Sequence, residues 1–226
     1  MVCAASREVL QWFASQPVPA FALFGRRAGL PIAGTGPDKP SALAAATHAL
    51  VELGHRRIVL LCRRPLRLPE PGAFTRAFLD ALKASDIPAS DYNLPDWEES
   101  SAGFHLCLDA LFRFTPPTAL IIDETSFFIA AQQFLARRKI RVPEEVSLIA
   151  CDADIAFAHC VPTVAHMSWD PRPVMHRIVR WVASTSHGKP DHRQTLTPSD
   201  FIPGGTLGPA ADRGPSTWKT TRETKA

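Results

Sequence analysis

The sequence lacks the features that mark nucleic-acid-coating, secreted and membrane-spanning proteins. Its 226 residues carry 25 Lys and Arg against 22 Asp and Glu, and the paired arginines are scattered along the chain. DNA-binding surfaces take their affinity from dense Lys/Arg clusters, so no such surface is predicted. No apolar run approaches the roughly 20 residues that span a bilayer, and residues 1–8 lack the basic and apolar regions of a secretory signal. These absences predict a cytoplasmic protein without membrane contact.

The sequence also lacks the usual signatures of metal, disulfide and hydrolytic chemistry. Its five cysteines are odd in number and include no Cys-x-x-Cys pair, which argues against a disulfide framework. The spacing of Asp152, Asp154, His159 and Cys160 fits no pattern of zinc ligands. There is no Gly-x-Ser-x-Gly elbow and no phosphate-cradling glycine loop. We therefore expect a protein that is not an enzyme and that has no metal and no cofactor.

What the sequence does contain is an alternation of buried strands and helices. Continuous apolar runs at residues 57–62, 118–122 and 146–151 are typical of strands covered on both faces. Helical patterns separate them, at residues 41–53, 74–85, 102–112 and 127–138. This rhythm predicts an α/β fold with parallel sheets, and two such sets predict two lobes. Ligands of open parallel sheets bind beyond the carboxyl ends of the strands.

Three motifs resemble one known family. Leu53 to Ile58 reads LGHRRI, residues 117–121 read PTALI, and residues 141–149 read RVPEEVSLI. Their wording, order and spacing are similar to the ligand-sensing domain of the lactose- and galactose-repressor family of bacterial transcription regulators. The resemblance runs from about residue 2 to residue 209. The family's helix-turn-helix and the first strands of its N-terminal lobe have no counterpart in these 226 residues, so we expect that lobe to be incomplete.

The resemblance implies a fold, a function and a set of partners. The fold is two Rossmann-like lobes joined by a hinge, of the type I periplasmic-binding-protein kind. We assign residues 1–64 and 168–189 to the N-terminal lobe, residues 65–167 and 190–209 to the C-terminal lobe, and residues 210–226 to a mobile tail. The implied partners are a small-molecule effector, a second copy of the chain, and DNA reached only through a domain outside the chain. A free-standing sugar-binding protein and a non-functional regulator fragment are the alternatives.

The same resemblance, together with the strand-end rule, implies a set of ligand-binding residues: Asp38, Phe74, Trp97, Asp123, Glu124, Asp152 and Trp169. Asp152 directly follows a buried strand, where a carboxylate can accept hydrogen bonds from two hydroxyls, although it could instead cap the next helix. An indole such as that of Trp97 suits the apolar face of a sugar, although this ring could instead cover a lobe. The register leaves open whether Asp123 or Glu124 reaches the ligand.

These residues also predict the charge of the ligand. The family has an arginine where this chain has Phe74, and the assigned set contains rings and carboxylates but no cation. Burying an anion without a partner costs several kcal/mol, so we expect a neutral sugar in place of a sugar phosphate or sugar acid. If Phe74 faces the lobe core instead, it carries no information about the ligand.

Overall fold

The computed structural model describes residues 1–211, which form two separate sheets. In chain order the helices and strands are β1 (Val2–Cys3), α1 (Arg7–Ala14), β2 (Phe21–Leu23), β3 (Ala33–Thr35), α2 (Lys39–Glu52), β4 (Ile58–Leu61), α3 (Arg64–Arg67), α4 (Ala73–Ala84), α5 (Ser101–Phe114), β5 (Ala119–Ile122), α6 (Thr125–Arg137), β6 (Ser147–Ala150), a 3-10 helix (Ile155–His159), β7 (Ala165–Trp169), α7 (Arg172–Ser186) and β8 (Ser199–Ile202).

The first lobe comprises residues 1–37 and 170–198 and contains the parallel sheet β1-β2-β3. Residues 190–198, which follow α7 and which we call the returning segment, add to this sheet through isolated bridges from Gln194 to Gly34 and from Thr197 to Pro37. Helix α1 covers one face of the sheet through Leu10, and α7 covers the other through Trp181. Side-chain spacing explains both contacts, because residues three or four apart share one face of a helix.

The second lobe comprises residues 38–169 and 199–211 and contains the five-stranded sheet β4-β5-β6-β7-β8. Its first four strands are parallel, and β8 runs antiparallel to β7. Apolar side chains alternate between the two faces of the strands, so each face has its own core. Helices α5 and α6 pack on one face, and α2 and α4 pack on the other. This arrangement confirms the α/β class with mainly parallel sheets.

The lobe boundary lies earlier than the sequence predicts. The sequence predicts residues 1–64 in the N-terminal lobe, but β4 pairs with β5 over four residues and α2 packs on α4. Residues 38–64 therefore belong to the second lobe, and the chain crosses between lobes near Pro37. The later crossings follow Trp169 and precede Ser199, so residues 190–198 lie in the first lobe and not in the second. Hydrophobic patterning identifies strands, but it does not assign a strand to a sheet.

Residues 212–226 of the predicted mobile tail lie outside the described part of the chain. Ala210, the first residue of the predicted tail, is described and anchored, because it donates its backbone N–H to Leu53 O at 2.8 Å. No helix within residues 1–211 is both long and apolar enough to cross a membrane.

His55 links three segments of the second lobe through hydrogen bonds. Its ring is buried, and Nε2 lies 2.9 Å from Gly208 O and 3.1 Å from Ser147 Oγ. It therefore joins the end of α2, the start of β6 and the last described segment. The neighbouring Arg56 donates to Val51 O in the last turn of α2, whereas the His55 ring points into the lobe.

Burial lowers the pKa of His55 below its ordinary value of 6.5, against an opposing effect of the bond to Gly208. The unfolded chain then takes up a proton first as the pH falls, so the stability contributed by neutral His55 is lost below pH 6.5. We expect urea denaturation to give a lower free energy of unfolding at pH 5.5 than at pH 7.5, with a slope of at most about 1.4 kcal/mol per pH unit from this residue. In His55→Gln this part of the slope should vanish. An unchanged slope in that variant would assign the pH dependence to other groups.

Candidate functional site

The candidate site lies at the carboxyl edge of the second sheet, where it faces the first lobe. Strands β4, β5 and β6 are parallel neighbours, so the residues that follow them emerge side by side. These residues are Arg63 after β4, Asp123 and Glu124 after β5, and Asp152 after β6. Lys39 at the start of α2 and Trp169 at the end of β7 complete the group.

Asp152 is the centre of the group. Its Oδ2 accepts a hydrogen bond from Lys39 Nζ at 2.7 Å, and its Oδ1 accepts one from Trp169 Nε1 at 3.4 Å. The carboxylate remains 43% exposed, so it can still accept hydrogen bonds from a ligand. The cap of the following 3-10 helix is Asp154, whose Oδ1 accepts from Ala156 N–H. Asp152 is therefore free of the capping role that was its alternative interpretation.

An aromatic contact joins the two lobes beside Asp152. The ring of Phe24, from the first lobe, meets the ring of Trp169, from the second, edge to face with centroids 6.1 Å apart. Phe24 has a backbone φ of 62°, a conformation rare for a bulky residue, which persists only when surrounding contacts fix it. Its backbone N–H donates to Thr35 O at 3.0 Å, which is one such contact. The ring is thus held toward the second lobe.

Arg63 organises the two carboxylates that follow β5. Its Nε donates to Asp123 Oδ2 at 2.7 Å, and its Nη2 lies 2.7 Å from Glu124 Oε1. Burial opposes the charge of Arg63, but the hydrogen bond and charge of Asp123 outweigh it and raise the pKa of the guanidinium. Asp123 is buried, whereas Glu124 is partly exposed, so of these two carboxylates Glu124 is the one that solvent and ligands can reach.

A second contact between the lobes lies at the loop before α4. Arg26 of the first lobe donates from Nη2 to Glu70 O of the second lobe at 3.0 Å. The guanidinium lies against Gly72, where a side chain would begin 3.4 Å from Arg26 Cζ. Arg26 is in turn restrained by Arg7, whose Nη1 donates to Ala28 O at 2.9 Å within the same loop.

Two aromatic residues of the predicted site belong to the core. Phe74 is 8% exposed and packs among Phe78 and Leu82 between α4 and the sheet. Trp97 is 6% exposed, and its ring packs against Phe104 and Phe127, with centroids 5.2 and 5.1 Å away. The prediction that these rings line the ligand site conflicts with this packing. The alternatives, a Phe74 that faces the core and a Trp97 that covers a lobe, agree with it.

Asp38 is also occupied. It is the N-cap of α2, and its Oδ1 accepts from Ser41 N–H at 3.4 Å while its Oδ2 accepts from Ser41 Oγ at 2.6 Å. It stands where the chain first crosses between lobes, since its own N–H donates to Thr197 O at 2.7 Å. Asp38 thus caps the first turn of α2, the turn from which Lys39 reaches Asp152.

The predicted absence of a cation from the ligand site is wrong. Lys39 and Arg63 both lie at the strand ends and pair with the carboxylates there. Neither residue is among those predicted from the sequence. Arg63 could have been found, because it follows a buried strand just as Asp152 does. The site that the structure assembles has two cations against three carboxylates, together with the Trp169 and Phe24 rings.

The two thiols at these strand ends are buried. Burial raises the pKa of the Cys62 and Cys151 thiols at the same strand ends, so both remain protonated. Within the described residues no three metal-ligating side chains come together. The arrangement offers hydrogen-bond donors, acceptors and ring faces, which are the components of a binding site.

Two α/β lobes with three crossings and polar groups at the strand ends define the class of two-lobe ligand-binding proteins. Residues 47–207 match the family described as periplasmic binding protein-like domain. The chain belongs to this family. No curated protein sequence matches it.

Solved structures of transcription regulators share the fold. The chain is similar to the Escherichia coli transcriptional repressor ascG, with 19% identity over 89% of this chain and 73% of that one, at a TM-score of 0.69. A LacI family regulator from Bifidobacterium animalis subsp. lactis gives 18% identity, coverage of 93% and 78%, and a TM-score of 0.74. A sugar-binding LacI family regulator from Escherichia coli, complexed with phosphate, gives 19%, coverage of 89% and 73%, and 0.73.

Proposed function

We propose that the chain is the effector-binding domain of a cytoplasmic transcription regulator and that it binds a small, neutral, sugar-like ligand in the cleft between its lobes. The observation that carries the proposal is the group of Asp152, Lys39 and Trp169 facing Phe24 across the lobe boundary. The fold is shared with several regulators, one of them described as sugar-binding, and this supports the assignment. DNA would be reached through a domain outside residues 1–226.

The chemistry of the site favours a polyol. A sugar hydroxyl can donate to the exposed oxygen of Asp152 and accept from Lys39, and a sugar C–H face can pack on an indole ring. The carboxylates of the site outnumber its cations by one, and the two cations are already paired. An added ligand anion would find no unpaired cation there, so a neutral sugar fits better than its phosphate or acid.

Ligand binding would act by shifting the balance between open and closed lobes. Phe24 and Arg26 belong to one lobe and contact the other, so a ligand that touches both sides binds the closed form more tightly. The difference in affinity between the two forms sets how far the equilibrium moves. A DNA-binding domain attached to the first lobe would sense that movement.

The test is a thermal-shift panel of neutral pentoses, hexoses and short oligosaccharides beside their phosphates and acids, followed by calorimetry of the best ligand. In Asp152→Ala we expect affinity to fall by about 2–3 kcal/mol, or roughly 30- to 150-fold, because charge-assisted hydrogen bonds are lost. Asp154→Ala is the matched control, since that carboxylate caps a helix end two residues away. Equal affinity of Asp152→Ala and the unchanged chain would remove Asp152 from the site, and tighter binding of an anionic ligand would overturn its proposed neutrality.

We further propose that the chain is a homodimer that associates through the second lobe. Ile155 and Val161 are 89% and 98% exposed, and neighbouring exposed apolar residues mark sites of protein interaction. They flank Phe157, which packs on Phe128 of α6 with ring centroids 5.4 Å apart. Ile129, which follows Phe128 in α6, is exposed as well. We call this the 155–161 surface. It presents exposed apolar groups, and the centre of a protein interface is enriched in such groups.

A further inference from the structure

A groove lies on the first lobe, away from the strand ends of the second. It has a volume of about 230 Å³ and is lined by Pro173, Arg177, Arg180, Arg193, Thr195, Leu196 and Thr197. One wall is helix α7, and the other is the returning segment that bridges to β3. None of these lining residues belongs to the proposed effector site, so the groove is a second and separate feature.

The groove is rich in positive charge. Arg177 and Arg193 share a single carboxylate, that of Asp191, which is itself buried. Arg180 makes no ion pair or hydrogen bond with any residue in 1–211, and it is exposed on α7 one turn after Arg177. Three guanidinium groups therefore stand against one carboxylate, and two positive charges at the groove are not balanced by Asp191.

The arginines differ in how firmly they are held. Arg177 is 7% exposed, is gripped by Asp191 at 2.9 and 3.1 Å, and also donates to Arg193 O at 2.8 Å. It fixes the returning segment against α7 and hence the width of the groove. Arg193 and Arg180 are the exposed pair beside this buried base, and Arg193 is also paired with Asp191. Guanidinium forks of this kind match the oxygens of phosphate in a bidentate manner.

We propose that this groove is an anion-binding site for a phosphate group, with Arg180 and Arg193 as its ligands and Arg177 as the positioning residue. Leu196, which is largely exposed, and Pro173 supply an apolar edge for whatever carries the phosphate. The site would give the domain a second input, independent of the ligand in the cleft. A phosphorylated metabolite and a phosphorylated side chain of a protein present the same group, and the experiment distinguishes them.

The experiment titrates the whole chain with inorganic phosphate, a hexose 6-phosphate and a phosphoserine peptide, at constant ionic strength with chloride as balance. We expect inorganic phosphate to raise the melting temperature and to bind in calorimetry. Arg180→Gln should weaken that binding about tenfold, because one charge-assisted donor pair is lost. The double variant Arg180→Gln with Arg193→Gln should abolish it. The carrier that binds more tightly than inorganic phosphate identifies the source.

The controls separate this site from the cleft and from bulk charge. Arg137→Gln removes an exposed arginine from α6 in the other lobe, and it should leave phosphate binding unchanged. Asp152→Ala, which should disable the cleft, should also leave it unchanged, so failure of one proposal does not imply failure of the other. Phosphate binding that survives the double variant, or no phosphate binding by the unchanged chain, would overturn the proposal.

Discussion

Asp191→Ala should lower the free energy of unfolding by about 3–5 kcal/mol, because it leaves the buried Arg177 guanidinium without its carboxylate. The two side chains are only 9% and 6% exposed and are joined by two hydrogen bonds, so water replaces little of the lost interaction. Burial opposes the charge of Asp191, but hydrogen bonds from Arg193 and the charge of Arg177 prevail and lower its pKa to about 2.

Urea denaturation at neutral pH measures the effect, and Asp109→Ala is the matched control. Asp109 pairs with Arg138 on the surface of the second lobe, where an exposed pair contributes about 1 kcal/mol or less. The pH dependence gives a second check. Since the folded pKa of Asp191 lies below its unfolded value, its stabilisation is present above pH 4 and is lost as the pH falls toward about 2. Equal losses of unfolding free energy in the two variants would mean that the Arg177–Asp191 pair stabilises the fold no more than an exposed pair does.

Ile155→Asp should dissociate the proposed dimer, weakening it by about 100-fold or more. A carboxylate in the 155–161 surface would be buried without a partner on association, which costs several kcal/mol. The side chain is almost fully exposed in the single chain, so the substitution should leave the fold intact. Sedimentation velocity across a concentration series measures the shift from dimer to monomer, and circular dichroism checks the fold.

Val182→Asp serves as the control for that experiment. It places the same charge at an exposed apolar position on α7 of the first lobe, so it tests whether any new carboxylate disperses the protein. We expect this variant to remain a dimer. A monomeric unchanged chain, or an Ile155→Asp variant that still dimerises, would contradict the proposed interface.

The sequence predicted the elements that burial dictates. The runs that became β4 and β5 are apolar at every position, and β6 is apolar apart from Ser147, a pattern typical of strands covered on both faces. Ser6 is a residue type that favours helix N-caps, and its Oγ accepts from Val9 N–H at the start of α1. By contrast, β3 reads Ala-Gly-Thr and β8 reads Ser-Asp-Phe-Ile, and neither has a distinctive alternation. Their pairing partners stabilise them, and a local pattern does not contain that information.

Residues of the candidate site could be predicted where only their position at a strand end mattered. They could not be predicted where the orientation of a side chain mattered. Asp152 and Glu124 follow strands and Trp169 ends one, and strand ends can be located from the sequence. Whether Phe74 faces the cleft or the core depends on the rotation of α4 by a fraction of a turn, and packing on Phe78 and Leu82 decides it. Lys39 could not be assigned to Asp152 from the sequence, since 113 residues separate them.

The contact of Arg26 with the loop before α4 makes position 72 a spacer between the lobes. The acceptor is the main-chain carbonyl of Glu70, so exchange of the Glu70 side chain leaves the bond in place. Gly72 is different, because a Cβ there would already lie in van der Waals contact with the guanidinium, 3.4 Å from Arg26 Cζ, so a side chain longer than that of alanine would have to displace it. Substitutions at residue 72 could therefore shift the equilibrium between open and closed lobes during evolution, while every ligand-contacting side chain stays the same.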